Sequence, residues 1–252
     1  MNKNEEYRSS IRPVTRFALL CFCIALLACS AALMAGLGSR WGWWDFRTGF
    51  AILKLSGYGG VIAAGLSLVV CIWSGLSGSR LGFALALIGL ISSLTVAGTL
   101  WQWKERAQAV PRIHDITTDT ENPPTFKAIL PLRKDVPNPP EYGGPVIAAQ
   151  QKSGYPDIVP LALHVSTNEA FQKALSAAIK MGWEIVEASQ ADGRVEATDT
   201  TFWFGFKDDI VVRITPDKAG SRIDVRSVSR VGLSDVGTNA GRIKRFLSEV
   251  KP

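Results

Sequence analysis

After residue 71 this chain has no cysteine, and it has only two histidines in total, His114 and His164. A disulfide framework and a thiolate zinc site are therefore excluded from its C-terminal part. A zinc site there would need carboxylates to complete it, so no metal and no cofactor are expected. The glycine loop of a phosphate-binding motif is missing, and so is a G-x-S-x-G nucleophile elbow. Basic excess is missing too. The net charge of +6 resides entirely in residues 1–106, and residues 107–252 carry 18 basic and 18 acidic side chains. Nucleic-acid binding needs a positive footprint on the binding domain, so no nucleic-acid partner is expected.

What the first hundred residues have in abundance is uncharged apolar sequence. The runs 17–37, 55–79 and 81–103 each reach the roughly 20 residues that a helix needs to cross the hydrocarbon core. Unpaired backbone groups are not tolerated in lipid, so each run is expected to be helical. Trp41, Trp43, Trp44, Trp101 and Trp103 flank these runs and read as an aromatic belt at headgroup level. Ala32 with Gly36, and Gly60 with Ala64, have the four-residue spacing that permits close helix contact. They do not by themselves establish a dimer. Arg8, Arg12 and Arg16 before an apolar stretch also resemble the start of a signal peptide, and Leu26-Leu-Ala-Cys29 loosely resembles a lipoprotein cleavage box. The apolar run continues to Leu37, a full span rather than a short signal core, so its retention is expected.

The charge rule for orientation is nearly tied. Lys3, Arg8, Arg12, Arg16 and Arg80 fall on one side, against Arg40, Arg47, Lys54, Lys104, Arg106 and Arg112 on the other. The first helix usually dominates. The expectation is a multi-pass protein of the cytoplasmic (inner) membrane, N-terminus inside and C-terminal domain outside. Cleavage before Cys29 would leave the domain on the same side.

Ten of the 13 prolines lie within residues 107–160, which predicts an extended, ordered strap. Residues 161–252 follow as a soluble domain. Ser166-Thr-Asn-Glu169 fits a capping box, and Phe171, Ala174, Leu175, Ala178 and Ile179 have the spacing of a buried helix face ended by Gly182. Residues 183–188 and 193–200 read as strands, 201–214 as a longer strand irregular at Asp208-Asp209, and 222–231 as a further one. Residues 216–220 have turn chemistry. Asp235 is placed to cap a last helix with the stripe Ala240, Ile243, Leu247 and Val250. The expected fold is α+β: three transmembrane helices, then a two-layer sandwich of about four antiparallel strands with two helices on one face.

Several segments together resemble the family catalogued as domain of unknown function 1499. They are Ile113 to Asp119, Pro123 to Phe126, Tyr155-Pro156, Gly182-Trp183, Phe206 to Arg213 and, most specific, Gly220 to Ile243. The resemblance covers roughly residues 110–250. It implies a bacterial (or plastid) envelope setting in which some members carry membrane spans ahead of the domain. It implies no reaction.

Two functional expectations follow. The first is a membrane-tethered binding or assembly module, whose charged sheet face meets a lipid headgroup, a glycan or an envelope protein. From Arg213 onward there are nine basic and four acidic residues, whereas residues 107–212 hold nine and fourteen. Arg213, Arg222, Arg226 and Arg230 either pair with Asp208, Asp209, Asp224 and Asp235 on neighbouring strands or form an anion site. Ser229 on the last strand, and Asn239 and Arg242 in the first turns of the last helix, join that candidate site. The second expectation is a hydrolase-like enzyme using His114 and Asp115 with the segment from Arg226 to Asp235; Asp119 is a further ligand-binding candidate, whose convergence with them in one cleft would favour this reading. A histidine beside an aspartate is only half of a relay, and the nucleophile is not evident. The spans contain no charge, so an ion pathway is not expected.

Overall fold

A computed structural model describes residues 3–218 and 220–251, with side chains described from Pro13 onward. Lys3, Arg8 and Arg12 of the charge count therefore have their side chains outside the described residues. The chain divides into two compact units, residues 1–105 with 203–205, and residues 106–202 with 206–252.

Three long helices make up most of the first unit, α1 (Lys3–Arg40), α2 (Phe46–Leu76) and α3 (Arg80–Ala109), the residues of α3 from Arg106 onward belonging to the second unit. Each contains a stretch of 28 to 31 residues long and apolar enough to cross a membrane. At 1.5 Å rise per residue such a helix exceeds the roughly 30 Å of hydrocarbon. The helices extend beyond the uncharged runs; α2 begins at Phe46 because Asp45 caps it, its side chain accepting from Arg47 N at 2.9 Å. Trp41 and Trp43 lie in the intervening turn, exposed, with ring centroids 5.0 Å apart. Small residues do bring helices together within this one chain. A Cβ placed on Gly60 would come 3.4 Å from the Ser93 carbonyl oxygen of α3, and one on Gly89 would come 3.5 Å from the Phe22 Cα of α1.

The second unit is α+β. Its antiparallel sheet has six strands rather than four: β1 (Asp115–Thr117), β2 (Leu161–Leu163), β3 (Glu184–Ser189), β4 (Arg194–Thr200), β5 (Lys207–Asp217) and β6 (Gly220–Ser229). The order is β1-β6-β5-β4-β3, with β2 also on the free edge of β6. Of the two added strands, β1 comes from the proline-rich segment and β2 begins immediately after it. Each is three residues long, too short for alternation to register in sequence. The proline-rich segment also supplies a 3₁₀ turn (Leu130–Arg133) and a helix α4 (Gly144–Gly154) where an extended strap was expected. β5 begins only at Lys207. Asp208 and Asp209 stand in unbroken register with Asp199 and Thr198 of β4, so the expected irregularity is not there. It lies instead in β3, between Ile185 and Glu187.

Helix α5 (Thr167–Lys180) starts as its sequence requires, with the Ser166 hydroxyl accepting from Glu169 N at 3.2 Å. Gly182, at φ 78°, ends it: Gly182 N bonds Ile179 O and Trp183 N bonds Ala178 O, the two closing bonds of a Schellman motif. Phe171, Ala174 and Ala178 are buried as expected, whereas Ile179 is 59% exposed. Helix α6 (Thr238–Val250) buries Ala240, Ile243, Val250 and also Phe246, whose ring stacks on Trp183 at 5.0 Å. These residues meet Val195, Ala197, Ile210, Val212, Ile214, Ile223 and Val225 of the sheet in one core. Burying an aromatic or branched aliphatic side chain contributes about 1.5–3 kcal/mol each, so this face supplies most of the unit's cohesion.

The other face of the sheet is covered as well. Phe126 and Ile129 pack on Val211 and Val228 in a second, smaller core. The proline-rich segment thus forms a third layer over the face that carries the charges.

Candidate functional site

The alternation of β6 decides which residues meet. Ile223 and Val225 turn to the helices, while Asp224 and Arg226 turn to the opposite face. Because residues 119–142 lie over that face, Glu196, Asp209, Asp224, Arg226 and Arg133 are all at most 3% exposed. A charge taken out of water needs a close opposite charge and hydrogen bonds, and each of these has them.

Arg226 donates from Nε and Nη2 to the two oxygens of Asp115 at 2.9 and 2.7 Å, and from Nη1 to the Pro124 carbonyl at 3.3 Å. Its guanidinium also lies 5.3 Å from the Phe126 ring and 5.5 Å from the Tyr142 ring, within cation–π range. The Tyr142 hydroxyl is buried without a hydrogen-bond partner. Burial, reinforced by Asp115, pushes it up to about 12, so it stays protonated. Beside this pair, Asp119 and Asp224 alternate with Arg213 and Arg222 in a ring of four, at contact distances of 2.8 to 3.1 Å.

Asp209 is held by two arginines, Arg133 Nη1 at 2.7 Å and Arg230 Nη2 at 2.8 Å, and accepts from the Thr198 hydroxyl at 2.7 Å. Glu196 accepts from the backbone of Lys127 and Ile129 at 2.7 and 2.8 Å. Arg194 Nε lies 2.9 Å from the same carboxylate, close but without hydrogen-bond alignment. Asn138 donates to the carbonyls of Ser229 and Gly232 at 3.0 and 2.9 Å. Arg133, Glu196 and Asn138 thereby fasten the covering segment at several points. Sequence patterning singled out none of the three. Their one signal is a polar residue within the segment or a carboxylate in an otherwise apolar strand, and both are common on surfaces.

On the helix side Asn239 is the hub. It accepts from the Ser227 hydroxyl at 2.7 Å and from Arg242 Nη1, and donates to the His114 carbonyl at 2.9 Å and to the Ser229 hydroxyl at 3.0 Å. Arg242 continues to Asp199 at 2.8 Å and Asp208 at 2.6 Å. The N-cap of α6 is Gly237 rather than Asp235, but Asp235, two residues earlier, accepts from Gly237 N and Asn239 N at 2.9 and 2.7 Å and so serves the first turn of the helix. Burial pushes its carboxyl up to about 6 against the pull of those two N–H groups. The His114 ring, bonded to the Leu233 backbone, is held below the usual histidine range by burial, with Asp115 opposing and Arg133 and Arg226 assisting.

The residues singled out in the sequence therefore fall into separate networks. Asp115 joins Arg226, Asp119 joins Arg213, and Ser229, Asn239, Arg242 and the His114 carbonyl form a group. Arg230 goes to Asp209, and Asp235 serves its helix. The pairings Arg213–Asp224 and Arg230–Asp209 agree with the expected cross-strand scheme. Arg226, by contrast, turns to Asp115 of β1, and Asp208 turns to Arg242. Chemically this arrangement holds a sheet and its cover together. Both oxygens of Asp115 are engaged by Arg226, and the hydrogen bond of the His114 ring goes to the Leu233 backbone. Among the described residues, no group of three or more histidine, cysteine, aspartate or glutamate side chains is placed to hold a metal ion.

No curated protein matches the chain. Residues 115–250 match the family described as Protein of unknown function (DUF1499). That stretch is more than half of the 252 residues, includes β1 with Asp115 and ends at the last residue of α6. The chain belongs to this family.

Proposed function

We propose that this protein is a membrane-anchored binding or assembly module of the bacterial cell envelope, with its α+β domain outside the cytoplasmic membrane. The carrying observation is the coupling of three span-length apolar helices to a domain whose buried charges are committed to one another. Such a domain presents a rigid, fastened surface, as a docking partner requires. Because the charged sheet face is covered, recognition of a lipid headgroup, a glycan or an envelope protein falls to the outer surfaces of the unit. The dominance of the first span in setting orientation supports the external side. The hydrolase-like alternative draws no support from the geometry of His114 and Asp115.

The test is a pair of reporters fused after Pro252, one active only when exported and one only in the cytoplasm. Activity of the exported reporter alone is the expected result. Activity of the cytoplasmic reporter alone would overturn the envelope reading and redirect the search to cytoplasmic partners.

A further inference from the structure

Within the second unit, a groove of about 340 Å³ runs between the last residues of α3 and the first turn of α6. Its volume is at the lower end of the range for small-molecule sites, roughly 300–1,000 Å³. Ala109, Val110, Val236 and the ring of Tyr155 give it apolar walls, and Arg106 and Lys244 stand at its margin. Gly241 leaves the α6 side flat: a Cβ built there meets nothing within 4 Å.

We propose that this groove binds an anionic phospholipid of the bilayer in which the protein is anchored, its phosphate between Arg106 and Lys244 and its glycerol and proximal acyl carbons on the apolar walls. This names a ligand for the binding-module reading. It rests on the membrane anchoring alone, not on which side the domain faces.

Four observations carry it. Arg106 belongs to α3 itself, three residues past Trp103. A rise of about 4.5 Å along the helix therefore separates it from the level at which tryptophan meets headgroups. Lys244 pairs with Asp157 at 2.7 Å, the two side chains 46% and 62% exposed, and stands 6.0 Å from the centroid of the Tyr155 ring. An exposed pair of this kind is worth little and yields to a phosphate. Val236 is the one non-glycine residue with positive φ among the described residues, at 53°, and it is 45% exposed. A β-branched residue held there is strained, and an apolar side chain kept half in solvent on a groove wall suits an apolar occupant. Tyr155 is 8% exposed, and its hydroxyl, close to Gly237, has no hydrogen-bond partner. Burial, with Asp235 adding to it, pushes that hydroxyl up to about 12 and keeps it a donor. The backbone N–H groups of Gly237 and Asn239 already serve Asp235, so anion recognition falls to Arg106, Lys244 and Tyr155 rather than to the helix end.

The experiment uses the full chain in detergent, titrated with phosphatidylglycerol or with phosphatidylcholine of the same acyl chains, and reads retained lipid by native mass spectrometry. Phosphatidylglycerol is expected to be retained preferentially. The double variant R106A/K244A is expected to lose about thirty-fold in that affinity, the worth of two basic side chains facing an anionic headgroup. G241L fills the groove from an exposed helix position and is expected to abolish the preference while the thermal transition stays in place. Equal retention of the two lipids would overturn the proposal, and so would wild-type retention of phosphatidylglycerol by G241L. Neither result touches the topology assay, so failure of the groove and failure of the envelope reading are separable.

Discussion

Arg226 and Asp115 are 111 residues apart in sequence, yet they form a two-pronged ion pair at 2.9 and 2.7 Å with both side chains inside the protein. The pair joins the long interior strand β6 to the short edge strand β1, where Asp115 stands opposite Val228 and Thr117 opposite Arg226. β1 has only three residues to hold it, so this side-chain pair substitutes for a longer ladder.

Removing one member of this pair is expected to leave an uncompensated buried charge. D115A should destabilise the domain by about 3–5 kcal/mol. The double variant D115A/R226M should recover a substantial part of that loss, because it removes the orphaned charge as well. Chemical unfolding of the full chain in detergent, followed through tryptophan fluorescence, provides the four corners of the cycle. Simple additivity of the two single losses would show that the pair is not coupled.

Arg133 fastens the covering segment to Asp209, and its other guanidinium nitrogen donates to the Asn138 carbonyl at 2.9 Å. R133A is expected to free that segment while the sheet and its helices persist. Limited trypsin digestion should then cut rapidly after Lys127 and Lys134, with the far-ultraviolet circular dichroism nearly unchanged. Uniform digestion across the domain would instead mean that the cover and the sheet fold as one indivisible unit.

Asp235 has its folded pKa raised from 3.8 to about 6. A raised carboxyl binds more protons in the folded state than in the unfolded one between these values. Its contribution to stability is therefore greatest below about pH 4, declines as pH rises to about 6, and is level above that. D235N abolishes the titration and should flatten this part of the pH–stability curve. Unfolding midpoints at pH 4.5, 5.5 and 7 for both proteins measure it. His114, held below its usual value, acts in the opposite sense: its contribution is present above about 6.5 and is lost as pH falls. H114Q in the D235N background separates the two.

Gln151 of α4 occupies the outer edge of β1 as a further strand would. Its side chain accepts from Thr117 N at 2.9 Å and donates to Thr117 O at 2.6 Å. Q151A leaves both buried backbone groups unpaired and is expected to cost about 2–4 kcal/mol. Hydrogen exchange at the Thr117 amide should accelerate well before that of β5.

Much of this architecture is legible from local pattern. The three spans, the Ser166 cap, the Gly182 stop and the inward Ile223 and Val225 all follow from composition and period over a few residues. Phe246 has the spacing of the stripe, three residues after Ile243 and four before Val250, and is fully buried, whereas Leu247, one position on, is only partly buried at the margin of the helix face. Ile179 has the right spacing, but the buried face of α5 runs through Ala170, Phe171, Ala174, Ala177 and Ala178 and leaves Ile179 exposed. β1 and β2 are each too short to show alternation and exist only because β6 offers them a partner.

The amino-acid sequence by itself determined that three apolar helices precede an antiparallel α+β domain, since hydrophobic runs, caps and strand alternation act within one turn or one strand. It also determined that the charges of β6 share a face. Only the tertiary structure decided what those charges do. Folding residues 119–142 over the sheet removed water from that face, and desolvated charges then had to find partners up to 111 residues away. That is why Asp115 belongs to Arg226 rather than to its neighbour His114, and why a face that reads as a binding surface in sequence is an internal fastening in the protein.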